Sequence, residues 1–148
     1  MTHRTKLDRL LDLRREEVDR RAMELAMASQ AMADADEALR KMREQRGEIE
    51  GAIARSSGER VGGVLTLRLL IEQLDRGIQN ALTVRTLAAA TVAEKQEAYK
   101  EAEKRRESLE RVVIPRLEQA RALERLAERK HEDEMALTSY RLGGHGQQ

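Results

Sequence analysis

The sequence has no cysteine, phenylalanine or tryptophan, one proline and two tyrosines. Each absence excludes something. Without cysteine there is no disulfide framework and no thiol nucleophile or thiolate metal ligand, and a reducing compartment is the expected setting. Without large aromatics a compact core loses its usual source of buried area. The longest apolar run is far too short to span a bilayer, and nothing resembles a secretory leader, so the chain reads as soluble and intracellular. What is present is charge, 37% of the residues, above the roughly 25% of ordinary globular domains. The rest is dominated by Leu, Ala, Ile, Val and Met. A chain of this composition buries a stripe along long helices.

The stripe is visible in the spacing. With Leu11 at heptad position a, that series is Leu11, Val18, Leu25, Met32, Leu39, Arg46 and Ile53. The matching d series is Leu7, Arg14, Arg21, Ala28, Ala35, Met42 and Ile49. Sustained a/d repetition of this length indicates a coiled coil and argues against disorder. Thr5-Lys6-Leu7-Asp8 suits a helix start. The pattern stops where Ser and Gly concentrate, from Ser56 to Gly63, and this is the best turn in the chain. A second series runs Leu67, Ile71, Leu74, Ile78, Ala81, Arg85, Ala88, Val92, Lys95, Tyr99, Ala102, Arg106, Leu109 and Val113, with Tyr99 read as core. It continues less cleanly through Ala120, Leu123, Ala127 and Leu137 to the Gly-rich end.

The expected fold is therefore all-α: one antiparallel coiled-coil hairpin over residues 1–142, with helices at 5–55 and 65–141, a turn at 56–63 and a disordered tail at 143–148. Folding about residue 59 sets residue i opposite residue 118 minus i, so Leu39 should lie near Gln79 and Leu7 near Arg111. The first helix spans about 75 Å and the second about 110 Å at 1.5 Å per residue, so the second must overhang. Pro115 falls where pairing runs out, after the weak helical run Val112-Val113-Ile114, and predicts a kink or short break at 111–115. Residues 116–141 then project with Leu117, Leu123, Leu126 and Leu137 unpartnered, beside Arg116, Arg121, Arg125 and Arg129. An isolated helix of that length is marginal in water, which points to a waiting partner.

Chemistry is scarce. Glu128 and His131 have a Glu-x-x-His spacing, with Glu134 one turn on, but a helical di-iron site needs a second copy and more carboxylates. A solvated surface is the better reading, so no metal ligand is expected. Residues 58–63 lack the Gly-Lys-Ser/Thr of a phosphate loop. The serines have no His and acid in a recognisable arrangement, and no catalytic residue or cofactor is expected. Lys104-Arg105-Arg106 is ringed by Glu101, Glu103 and Glu107, so neutralisation outweighs phosphate binding. The mixed charge, net +1, gives no basic stripe for nucleic acid. Arg14, Arg21, Arg85 and Arg106 fall on the seam, where they either set register or meet a partner's carboxylates.

The opening LDRLLDLRREEVDRRAMELAMA, the Gly/Ser turn near the 40% point, the longer second helix and the late segment ARALERLAERKHEDEMA together resemble the FliJ family. That family comprises stalk proteins of the flagellar type III export ATPase and is related to the YscO-like proteins of virulence secretion. Pro115 departs from the family pattern. The resemblance implies a non-catalytic cytoplasmic stalk, peripheral to the inner-membrane export apparatus. The end bearing both termini would enter the pore of a hexameric export ATPase, through Leu117, Arg121, Leu123, Arg125, Leu126, Arg129 and Leu137. The hairpin end, with Met42, Arg46, Ile49, Ile71 and Leu74, would reach the cytoplasmic domain of the export gate, and export chaperones would be further partners. The competing readings are a homodimeric coiled-coil scaffold and a YscO-like virulence stalk.

Overall fold

A computed structural model describes residues 6–56 and 61–145. Two helices account for the fold: α1, Lys6–Arg55, and α2, Val61–His145. They form an all-α hairpin. The chain divides into two compact units, one of Met1–Arg15 with Lys104–Gln148, the other of Glu16–Glu103. The helical start at Thr5, the centre of the turn and the last three residues lie outside the described residues.

In the unit Glu16–Glu103 the seam follows the heptads. Ala28, Ala35 and Leu39 of α1 are buried, and Val18, Leu25, Met32, Met42, Ile49 and Ile53 are half-buried. From α2, Ile78 and Ala102 are buried, and Leu67, Ile71, Leu74, Ala81, Ala88, Val92 and Tyr99 are half-buried. Arg85 alone among the expected α2 seam positions up to Val113 is exposed. The Tyr99 hydroxyl donates to Glu103 at 2.8 Å, which keeps its polar end satisfied at the seam's edge.

Ion pairs between the helices fix the direction and the register. Arg46 donates to Asp75 at 2.6 Å, Arg85 pairs with Asp36, and Lys95 lies 3.6 Å from Glu24. Ascending numbers in α1 meet descending numbers in α2, as an antiparallel hairpin requires. The register is close to the expected one at Glu24 and Met42, where residues 94 and 76 were expected and Lys95 and Gly77 are found, and runs three residues beyond it at two arginine pairs. Folding about residue 59 puts residue 72 opposite Arg46 and residue 82 opposite Asp36, whereas their partners are Asp75 and Arg85. Leu39 likewise shares a shallow cleft with Leu82 and Arg85, and Gln79 is exposed.

The limits of α2 also differ. The helix begins at Val61, four residues before the expected start, and continues to His145, so 143–145 are helical where a disordered tail was expected. Gly62, Gly63 and Gly143 sit in this helix with open space around the missing Cβ. A helical glycine costs about 1 kcal/mol relative to alanine, too little to stop a helix that has favourable residues on either side. At the end of α1, Ser56 satisfies orphan carbonyls, its backbone N–H donating to the Ala52 oxygen at 3.1 Å and its hydroxyl to the same atom at 2.8 Å.

In the unit containing both chain ends, Leu11 and Val113 are buried at 3% and 2% exposure, and Leu7, Leu109 and Leu117 are half-buried. Arg15 donates to Glu110 at 3.3 Å, and Arg106 pairs with the same carboxylate from one turn away. Pro115 stands inside α2 without breaking it. Of the expected kink or short break, the break is absent. Proline removes one hydrogen bond and crowds the preceding turn, at about 3 kcal/mol. Buried Val113 and half-buried Leu109 and Leu117 flank it on the packed side and hold the helix through it.

Truncating the seam should therefore cost more than truncating the exposed end. Leu39→Ala is expected to lose about 2–5 kcal/mol, while Leu123→Ala stays within about 0.5 kcal/mol, in thermal unfolding followed by circular dichroism. Equal effects would mean that Leu39 is not at a packed seam. The seam should also respond to acid. The hydrogen bond from Arg21, helped by Lys95, holds the Glu24 carboxyl below its ordinary value, against a smaller opposing effect of desolvation. A carboxylate with a lowered folded value stabilises above its unfolded value and loses that stabilisation as pH falls through the folded one. Glu24→Gln should lower the thermal midpoint slightly at neutral pH and leave it nearly unchanged in acid, so that the two proteins converge as pH falls.

Candidate docking surfaces

Beyond Leu117 the burial pattern changes abruptly. Every residue from 118 to 143 is exposed, although α2 continues through them all. Leu123 is 67% exposed and Leu126 60%, against 5% for Leu39 at the seam. Exposed apolar side chains of this size, on a stretch of helix that packs against nothing among the described residues, make it a candidate interaction surface.

Helical geometry sorts the predicted residues. Leu126 is nine residues from Leu117, about two and a half turns, and so points to the opposite side. Leu117 therefore closes the intramolecular seam, while Leu123, Leu126 and Leu137 share a separate face. Tyr140, also exposed, falls on that same face three residues after Leu137. Its i, i+3 spacing from Leu137 is legible in the sequence. Exposed Met135 and Leu142 lie on the Leu117 side.

Arg121, Arg125 and Arg129 recur every four residues and form a basic ridge beside the apolar face. The Arg125 Nε–H donates to the Arg121 carbonyl at 3.3 Å. Among the described residues the ion pairs end at Glu110; none involves these three arginines. In contrast, Arg21, Arg46, Arg85 and Arg106 on the seam all have carboxylate partners within the chain. Their intramolecular pairing favours the structural reading of those positions.

A second surface lies in the unit Glu16–Glu103. Met42, Ile49 and Leu74 line one open groove of about 500 Å³ together with Leu70 and Gly77. Gly77 packs beside Met42, whose Sδ would be 3.6 Å from an added Cβ, an ordinary van der Waals contact. Ile71 is half-buried and does not line the groove, and Arg46 is held by Asp75 and Glu50. Leu70 was missed because it lies outside the a/d series, on the flank that a coiled coil leaves partly open.

Features of other chemistries are few. Lys104 and Arg105 line a shallow cleft with Arg14, while Arg106 is drawn to Glu107 and Glu110. Among the described residues no group of three or more His, Cys, Asp or Glu is placed to hold a metal ion. No helix there is long and apolar enough to cross a membrane.

Comparison with known proteins gives one match. The family model described as "Flagellar FliJ protein" matches residues 3–144, nearly the whole chain. No curated protein and no solved structure matches.

The bare stretch should be dynamically distinct. Hydrogen exchange at residues 118–143 should be orders of magnitude faster than at 20–45, because helical amides without tertiary packing open locally at little cost. Equal protection in the monomer would show that another part of the chain covers the stretch.

Proposed function

This chain belongs to the FliJ family, and on that premise we propose that it is a non-catalytic stalk whose exposed end of α2 docks in the pore of a hexameric export ATPase. Membership carries a role in flagellar protein export; the docking partners are the proposal. The observation that carries it is the uninterrupted exposure of residues 118–143 on a continuing helix. Such a helix presents Leu123, Leu126 and Leu137 to apolar surface while the Arg121, Arg125 and Arg129 ridge meets acidic loops. Leu117, half-buried at the seam's end, anchors the base of the docking helix.

The groove around Met42, Ile49 and Leu74 is the second contact, for the cytoplasmic domain of the export gate. In this reading Arg46 and Ile71 support the groove from the seam. Export chaperones are further partners, and the protein works in the cytoplasm at the periphery of the export apparatus. A stalk of this kind binds no nucleotide and contributes by holding and orienting the ring. The flagellar assignment is preferred to a YscO-like virulence stalk because the matching family is the flagellar one.

The test is ATP turnover by the cognate export ATPase. Deleting residues 116–148 should leave a folded hairpin that no longer stimulates the ATPase, and Leu123→Ser with Leu126→Ser should act in the same direction more weakly. Stimulation should also fall with added salt, since exposed charges are screened over about 10 Å at 0.1 M. Full stimulation by the truncated chain would place the contact elsewhere.

A further inference from the structure

We infer that the exposed end of α2 is self-complementary, and that two copies of this chain pair antiparallel through it. The exposed face defines its own heptad frame, distinct from that of the hairpin seam. Position a is occupied by Leu123, Lys130 and Leu137, and position d by Leu126, Asp133 and Tyr140. All six are exposed, and neither Lys130 nor Asp133 has an ion pair among the described residues.

In an antiparallel pair, a positions of one helix pack level with d positions of the other. Setting Leu126 against Leu137 of a second copy brings Leu123 level with that copy's Tyr140. The same setting places Lys130 opposite Asp133 of the second copy. Twofold symmetry repeats each pairing, so every apolar layer is matched and both charges are neutralised twice. Ala127 and Ala136 flank the layers, leaving room for close approach. A parallel, in-register pair would put Lys130 beside Lys130 and Asp133 beside Asp133, and charge at these positions selects the antiparallel arrangement. The face also lies about half a turn from the Leu117 side of α2, so pairing does not compete with the hairpin seam.

The paired segment is short, with two charged layers at its centre, and the dimer is weak and reversible. Its consequence is regulatory. Pairing covers Leu123, Leu126 and Leu137, so a chain paired in this way does not offer that face to any other partner. This regulatory consequence rests on the proposed docking role; the pairing itself does not, and its test contains no ATPase.

The full-length chain should show concentration-dependent dimerisation in sedimentation velocity at low salt. Lys130→Asp places a carboxylate opposite Asp133 of the second copy and should weaken the dimer about tenfold or more. Combining it with Asp133→Lys reverses the pairing and should restore association to within about threefold of the original. The chain has no native cysteine, so orientation is read by single substitutions. A chain with Leu126→Cys mixed with one carrying Leu137→Cys should form the mixed disulfide in preference to either self-disulfide. A monomer at all concentrations would overturn the inference. So would failure of the double charge reversal to rescue, or preferential self-crosslinking of the Leu126→Cys chain.

Discussion

The structure depends on one narrow apolar seam between helices of unequal length. α1 has 50 residues and α2 has 85, so a hairpin that pairs all of α1 leaves part of α2 without an internal partner. With no phenylalanine or tryptophan available, the seam is built from leucine, isoleucine, valine, methionine and alanine, and few side chains are fully buried. Small residues such as Ala28 and Ala35 are among the buried ones. This economy of burial leaves little apolar material inside and a good deal outside.

A seam of such uniform chemistry specifies register weakly, and the charges supply what the hydrophobes lack. The arginines at 46 and 85 hold carboxylates across the helix pair, and Lys95 approaches Glu24 in the same sense. Individually such half-exposed pairs contribute little stability. Their effect is discriminatory: a slip of a few residues separates them together and leaves charged groups against the seam. Arg106 makes the same compromise within α2, with its guanidinium ends paired to acids while its Nε is buried without a partner.

Much of this was legible in the sequence. The a and d series drawn from Leu11 and Leu7 contain no exposed residue, because heptad periodicity directly reports the side of the helix that is covered. Periodicity repeats every seven residues and does not say which heptads meet; the Gly/Ser turn supplied that, to within one residue at Lys95 and Glu24 and three at the Arg46 and Arg85 pairs. Pro115 suggested a break that is absent, since local propensity yields to packing at Val113 and Leu117. The candidate docking residues were found by counting where α1 runs out. Leu117 was grouped with Leu123 and Leu126, and only the helical angle separates a residue that ends the internal seam from those on a free face. Tyr140 belongs to that face for the same geometric reason.

The exposed end of α2 is where the energetics of the fold pass into function. Apolar side chains that the hairpin leaves exposed stand there next to arginines that make no ion pair among the described residues, and the proposed role assigns that surface to another molecule. Site-specific photo-crosslinking in the native cell tests this most directly. A photoreactive side chain at Leu126, 60% exposed, can be compared with one at Met27, a still more exposed apolar position at 69%, in the other unit. The account predicts a covalent adduct with the export ATPase from position 126 and none from position 27. An ATPase adduct from position 27 alone would contradict it.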